Sequence, residues 1–191
     1  MKGTPTARTT MFILLTGPVH EGKTTACWKA IPGMRSAGYK VAGFISPPLL
    51  NAAGSKVGIE MMDLTTGAHQ TFARVREANE TTTIGVYQIS DEAIEWARRV
   101  LGAALLANTD WLVIDEIGPL ELHQGAGFAF ALPALADPLR VPNAIVIVRE
   151  SLIQELSERL GRTDIVIVRV AAQNRGQIPA QLVKLATSAR R

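Results

Sequence analysis

Gly17-Pro18-Val19-His20-Glu21-Gly22-Lys23-Thr24-Thr25, directly after the apolar run Met11-Phe12-Ile13-Leu14-Leu15, decides the fold. The spacing G-x-x-x-x-G-K-T is that of a phosphate-binding loop, the Walker A motif. Its successive backbone N–H groups curl around phosphate oxygens, and a side chain at either glycine is expected to block that approach. Lys23 neutralises phosphate charge and the Thr24 hydroxyl ligates magnesium. Thr24 and Thr25 open a predicted helix, so the bound anion also meets the positive end of the helix dipole. A chance Gly/Lys/Thr cluster would lack this strand–loop–helix context, and the reading is therefore binding of a nucleoside triphosphate through residues 17–25. His20 stands where many such loops carry glycine, either meeting phosphate or ribose or merely being tolerated. Glu21 would repel a triphosphate and is expected to point outward.

Further along, Trp111-Leu112-Val113-Ile114-Asp115-Glu116 is an apolar run ending in two acids. A carboxylate at the end of a strand beside the loop can hold the metal, and the next residue can reach an attacking water. Asp115 is accordingly assigned to magnesium with Thr24, and Glu116 to the general base. Two acids after a strand are also common in ordinary loops; it is their pairing with the loop at Gly17 that gives them chemical meaning. Proteins with such an acid pair place the next strand, here Ala144 to Arg149, between the metal-binding strand and the first one. Arg149 then lies near the γ-phosphate as a third candidate catalytic group beside Lys23 and Glu116. Its alternative is a surface ion pair with Glu150 or Glu155.

Five apolar runs, Met11 to Thr16, Val41 to Ser46, Trp111 to Asp115, Ala144 to Arg149 and Ile165 to Val170, imply a buried, mostly parallel sheet. Helical patterns alternate with them over Lys23 to Ala37, Asp91 to Ala107, the stretch around Phe128 to Ala136, Ser151 to Leu160 and Gln177 to Ala189, with Asp91 and Ser151 as expected N-caps. Pro47 to Tyr87 breaks this alternation. Glycines at 54, 58, 67 and 85 there separate short segments at Lys56 to Leu64 and Gln70 to Val75, the pattern of an antiparallel β insertion. The expected fold class is α/β, a three-layer P-loop NTPase fold with a small antiparallel insertion, in one domain over residues 1–191 with a flexible start at 1–10.

With 191 residues, 47% of them hydrophobic, the chain is long enough for a substantial core. The formal charge of +3 comes with scattered arginines and a terminal Arg190-Arg191 pair, weak evidence for nucleic-acid binding. The apolar run after the polar first ten residues is too short for a membrane span. With the single Cys27, this points to a reducing, cytoplasmic setting with no membrane partner and no nucleic-acid or protein partner indicated. Trp28 and Trp96 are read as packing residues on helices. After the last strand, Asn174 and Arg175 are candidate contacts to base or ribose, with a turn-forming Asn before a helix as the equal alternative. The Asn-Lys-x-Asp pattern of guanine specificity is absent.

These segments together resemble the broad-specificity nucleoside-triphosphatase family first recognised in thermophiles, which includes a human cancer-related nucleoside triphosphatase. The resemblance is carried by Gly17 to Thr25, by Gly43-Phe44 with Gly54-x-Lys56-x-Gly58 and Asp63-Leu64-x-x-Gly67, by Ile114-Asp115-Glu116-Ile117-Gly118-Pro119-Leu120-Glu121-Leu122, and by Asn174-Arg175. It implies magnesium-dependent hydrolysis of ATP, GTP and other triphosphates to diphosphates, with little base discrimination. The chain departs from the family pattern at Ser46-Pro47-Pro48-Leu49-Leu50, where a Thr-Glu-rich segment is usual, at Lys56 in place of arginine, and at Pro119 in place of a frequent lysine. Two other readings stay open: a kinase whose insertion holds the acceptor, and a nucleotide-dependent switch or assembly factor. Arg35 or Arg162 could serve as an arginine finger supplied by a second copy.

Overall fold

In the computed structural model, residues 10–75, 87–107 and 109–189 are described, with the backbone alone at Tyr87 and Gln88. The expected flexible start (apart from Thr10), Gly85 with the rest of 76–86, and the Arg190-Arg191 pair lie outside the described residues. In chain order the elements are β1 (Met11–Thr16), α1 (Lys23–Ser36), β2 (Val41–Ile45), β3 (Pro48–Leu50), β4 (Lys56–Asp63), β5 (His69–Val75), β6 (Tyr87–Ile89), α2 (Asp91–Leu106), β7 (Trp111–Ile117), α3 (Pro119–His123), α4 (Leu132–Leu135), β8 (Asn143–Val148), α5 (Ile153–Leu160), β9 (Ile165–Arg169) and α6 (Ile178–Ser188).

The nine strands among the described residues join one sheet in the order β6-β5-β4-β2-β7-β8-β1-β9, with β3 on β4. From β2 to β9 the pairing is parallel; from β2 outward to β6 it is antiparallel. The apolar runs form the parallel half because both of their faces are covered. Phe12 and Leu14 of β1 pack on one side with residues of α2, α4 and α5, while Ile13 and Leu15 pack on the other with α1 and α6. This is the expected three-layer arrangement, and β8 lies between β7 and β1 as the adjacent acid pair predicts. Fully buried Phe12, Phe44 and Trp111 each contribute on the order of 2–3 kcal/mol of hydrophobic stabilisation.

Gly43 sits at the seam of the two halves, where β2 pairs with β7 on one side and β4 on the other. Its φ is +103°, and a Cβ there would stand 2.0 Å from the Val113 carbonyl oxygen, so no other residue fits without moving a strand.

Local details correct the sequence reading. The cap of α2 is Ser90, whose hydroxyl accepts from the Ala93 N–H, and Asp91 is already helical. Ser151 lies in a 3₁₀ turn, Glu150–Leu152, ahead of α5. The segment around Phe128 to Ala136 divides into a 3₁₀ turn, Ala129–Ala131, and the short α4. Helix α3 was not anticipated. Trp96 is partly buried against the core, but Trp28 is 42% exposed and does not act as a core residue. Among the described residues no helix is long and apolar enough to cross a membrane.

Candidate active site

The loop between β1 and α1 has the backbone its sequence requires. Gly17 has φ +141°, and a Cβ there would lie 2.2 Å from the Val170 carbonyl oxygen. This glycine is therefore demanded by the strand beside the loop, in addition to any ligand. His20 and Gly22 both have positive φ, 68° and 88°. The His20 value accounts for the glycine common at that position: the chain turns left-handed there, at a cost for any residue with a Cβ. Glu21 stands outside the lining of the cleft formed beside the loop, though not in open solvent. It is half-buried, and its Oε2 is enclosed without a hydrogen-bond partner among the described residues.

Lys23 reaches back across the loop, its Nζ donating to the carbonyls of Gly17 at 2.9 Å and Pro18 at 2.7 Å. Partial burial lowers its pKa, opposed by the negative charges of Glu116 and Asp115. One residue on, the Thr24 hydroxyl donates to Asp115 Oδ1 at 3.3 Å, bringing the two sequence-predicted metal ligands together across 91 positions of chain.

Asp115 is only 6% exposed. Burial pushes its carboxyl up to about 7, although the Ser46 N–H and the Thr24 hydroxyl both stabilise its charged form. Ser46 is the residue that sequence reasoning missed. Its N–H donates to Asp115 Oδ2 at 2.8 Å and its hydroxyl to the Asp115 carbonyl oxygen at 3.0 Å. Its position at the polar end of β2, the strand beside β7, was the available signal.

Magnesium takes hard oxygen donors, and commonly one or two protein oxygens together with phosphate and water. The Thr24 hydroxyl and the Asp115 carboxylate are such a pair, and the buried carboxylate gains most from a nearby cation. Among the described residues no group of three or more His, Cys, Asp or Glu could form an all-protein metal cage. The donor set therefore fits an ion shared with a triphosphate.

Glu116 is set by a β-bulge. The register between β7 and β8 runs Asp115 opposite Ile147 and then Ile117 opposite Val148, leaving Glu116 unpaired with φ +152°. The bulge keeps Asp115 and Ile117 buried and turns the Glu116 side chain out of the sheet. Its Oε1 accepts from Arg149 Nε at 2.7 Å. The alternative partners are taken: Glu150 pairs with Arg169 at 3.0 Å and Glu155 with His123 at 2.9 Å. The Glu116 and Arg149 side chains are 47% and 57% exposed, so their pair contributes roughly 0–1 kcal/mol to stability. Its evident consequence is orientation of the carboxylate.

Behind Glu116, the buried Glu121 carboxylate accepts from the N–H groups of Gly118 at 2.8 Å and Phe128 at 3.1 Å and fixes the segment after β7. Burial raises its pKa against those two bonds. His20, the stretch from Gly22 to Thr25, Ser46, Lys56, Asp115, Glu116 and Arg149 surround a cleft of about 440 Å³ at the carboxyl ends of the parallel strands, where open α/β sheets bind ligands.

Four other candidates lie elsewhere. Asn174 does not line this cleft. Its Oδ1 accepts from the Ala171 N–H and its Nδ2 donates to the Arg169 carbonyl, so its amide shapes the turn before α6. Arg175 is exposed outside the cleft lining. Arg162 is not available as a finger: its side chain is 1% exposed, bonded to Asp164 and to the carbonyls of Leu135, Val141 and Pro142. Arg35 donates to the Leu64 carbonyl of its own chain.

Comparison with known proteins gives matches along most of this length. A family model described as NTPase matches residues 12–183. The protein named nucleoside-triphosphatase THEP1 from Methanopyrus kandleri is 31% identical over 175 residues, covering 90% of this chain and 93% of that one. Its namesake from Thermofilum pendens is 35% identical over 173 residues, covering 90% and 92%. Among solved structures, that of a human cancer-related nucleoside triphosphatase has a TM-score of 0.69 at 26% identity, covering 95% of this chain and all of that one. The crystal structure of THEP1 from Aquifex aeolicus has a TM-score of 0.71 at 21% identity, covering 92% and 99%, a likeness of fold.

Proposed function

Since the chain belongs to the NTPase family, we propose that it hydrolyses nucleoside 5′-triphosphates to diphosphate and phosphate, depends on magnesium, and discriminates little between bases. The observation that carries this reading is Glu116: a bulge lifts its carboxylate out of β7 beside the loop, and Arg149 orients it. The triphosphate lies along residues 17–25, with the loop N–H groups and the Lys23 ammonium taking phosphate charge. Thr24 and Asp115 would hold magnesium, which would supply positive charge against the phosphates. Glu116 accepts a proton from water as its oxygen attacks the γ-phosphorus; the bond to the β-phosphate oxygen breaks and the diphosphate leaves. Arg149, bound to Glu116 through Nε, directs the rest of its guanidinium charge toward the transferring phosphoryl group.

Low base discrimination accords with Asn174, whose amide is already used at both ends by the turn. A cytoplasmic setting accords with the single, fully buried Cys27, whose thiol burial holds in the protonated form. Phosphate release from ATP, GTP, CTP and UTP, each with magnesium and again with a chelator, tests the reading. Release from all four, abolished by the chelator, is expected. Release confined to one base would end the broad-specificity assignment, and release unaffected by the chelator would end the metal assignment.

A further inference from the structure

A second cavity, of about 270 Å³, is lined by Glu116 but by no residue of the loop. It shares Ser46, Ile59, Asp115, Glu116 and Arg149 with the cleft, so the two spaces meet along the catalytic residues. Beyond that wall its lining is mostly apolar, with Met61 of β4, Phe72 and Ala73 of β5, Ile89 of β6, Leu120 of α3 and Phe128, and with Gln124 and Glu121 as its polar side chains. Phe128 is fixed on the Phe44 ring at a centroid distance of 4.8 Å. The carboxylate of Glu121, at the same wall, has both oxygens bonded to backbone N–H groups.

Hydrolysis needs space for one water beside Glu116. It gives no reason for an apolar chamber next to that water, since such space holds water poorly and leaves hydrophobic surface uncovered. The volume is roughly twice that of a cavity that accepts benzene. It suits a compact ligand with one ring or a short branched chain, whose polar end would meet Glu116 and Arg149. The nucleoside is placed elsewhere by the loop: Lys23 reaches the β- and γ-phosphates, so the γ-phosphate faces Glu116 and the base lies at the far end of the triphosphate.

We propose that this cavity is an acceptor site for a small apolar alcohol, and that the protein transfers the γ-phosphoryl group to its hydroxyl in competition with water. The proposal rests on the assignment of the γ-phosphate to the cleft and of Glu116 as base. The alcohol oxygen attacks the γ-phosphorus, its proton passes to Glu116, the bond to the β-phosphate oxygen breaks, and a phosphate monoester and a nucleoside diphosphate leave. The apolar wall holds the body of the acceptor, and binding converts the hydroxyl into an oriented local nucleophile that outcompetes water.

The test incubates the full chain with Mg-ATP and 2-phenylethanol, a one-ring primary alcohol. Diphosphate and phosphate are both measured, and phosphorus NMR identifies any ester. The ratio of diphosphate to phosphate should rise from one to about two or more as the alcohol saturates, with the difference recovered as 2-phenylethyl phosphate. Ile89→Trp, which fills the cavity from outside the cleft, should return the ratio to one while phosphate release persists. Leu120→Trp does the same from another element should the first variant fail to fold.

A ratio of one at every alcohol concentration, with no ester, would overturn the proposal. So would a filled cavity that raised KM for ATP, since the space would then hold the nucleoside. Absence of phosphate release without alcohol would count against the hydrolase reading alone, because ester formation is read separately.

Discussion

The two halves of the sheet are built from different kinds of sequence and do different things. In the parallel half, β1, β7 and β8 are apolar on both faces, and their polar carboxyl ends carry the Gly17–Thr25 loop, Asp115, Glu116 and Arg149. In the antiparallel half, β4 and β5 carry half-exposed residues, and near the site they contribute the apolar wall of Met61, Phe72 and Ala73 together with Lys56 at the cleft. Charge chemistry is thus concentrated where backbone ends and a helix N-terminus converge, while the insertion supplies shape and a single lysine, Lys56, among the described residues of the cleft lining. Ser46 and Gly43 connect the halves, the first by holding Asp115 from the end of β2 and the second by allowing β2 to lie against β7.

If the chemistry belongs to the parallel half, its removal should leave the fold intact. Lys23→Ala is expected to abolish turnover and to weaken triphosphate binding by roughly a hundredfold, the cost of a lost charge-assisted contact of about 3 kcal/mol. Nucleotide titration together with a melting curve checks both. Unchanged affinity would remove the loop from the account.

The seam should be where the halves depend on each other. Gly43→Ala places a methyl group against the Val113 carbonyl at positive φ and is expected to cost about 3 kcal/mol or more of stability. Denaturant unfolding measures this; a loss below 1 kcal/mol would mean that β2 shifts without consequence and that the halves are less coupled than the pairing implies.

A smaller effect concerns the charge at the boundary. The folded pKa of Asp115, about 7, lies above that of an unfolded aspartate, so the metal-free fold binds the extra proton. This contribution is fully present below the unfolded value, near pH 4, and is lost as pH rises through about 7. Metal-free protein should accordingly be less stable at pH 8 than at pH 5 by this group's share, and Asp115→Asn should be stabilised relative to wild type at pH 8 but not at pH 4. Melting temperatures at the three pH values decide it; equal differences at all of them would contradict the buried-charge argument.

Much of the parallel half was legible because its signals are local. A doubly buried strand reads as a continuous apolar run, and the loop reads as fixed glycines between such a run and a helix. β1 has the expected bounds, and the other core strands differ at their ends. Within the antiparallel half, the described strands β4 and β5 also follow their alternating segments. What stayed hidden depends on distant partners. The bulge at Glu116 is a mismatch of register with β8, for which Asp-Glu-Ile gives no period signal. Ser46 meets Asp115 only once β2 lies beside β7. Burial of Arg162 follows from carbonyls of the α4–β8 connection, and the partly enclosed Glu21 from the fold of the loop. Arg149 was assigned to the γ-phosphate side by strand order, but its bond to Glu116 required knowing that Glu150 and Glu155 were already paired.

The most direct test of the central claim compares Glu116→Gln with wild type in magnesium-dependent phosphate release and in Mg-ATP binding. The account predicts retained binding, since the amide keeps the size of the side chain, and turnover reduced by about 10²–10⁴-fold through loss of the general base. Phosphate release at the wild-type rate would contradict the role assigned to Glu116.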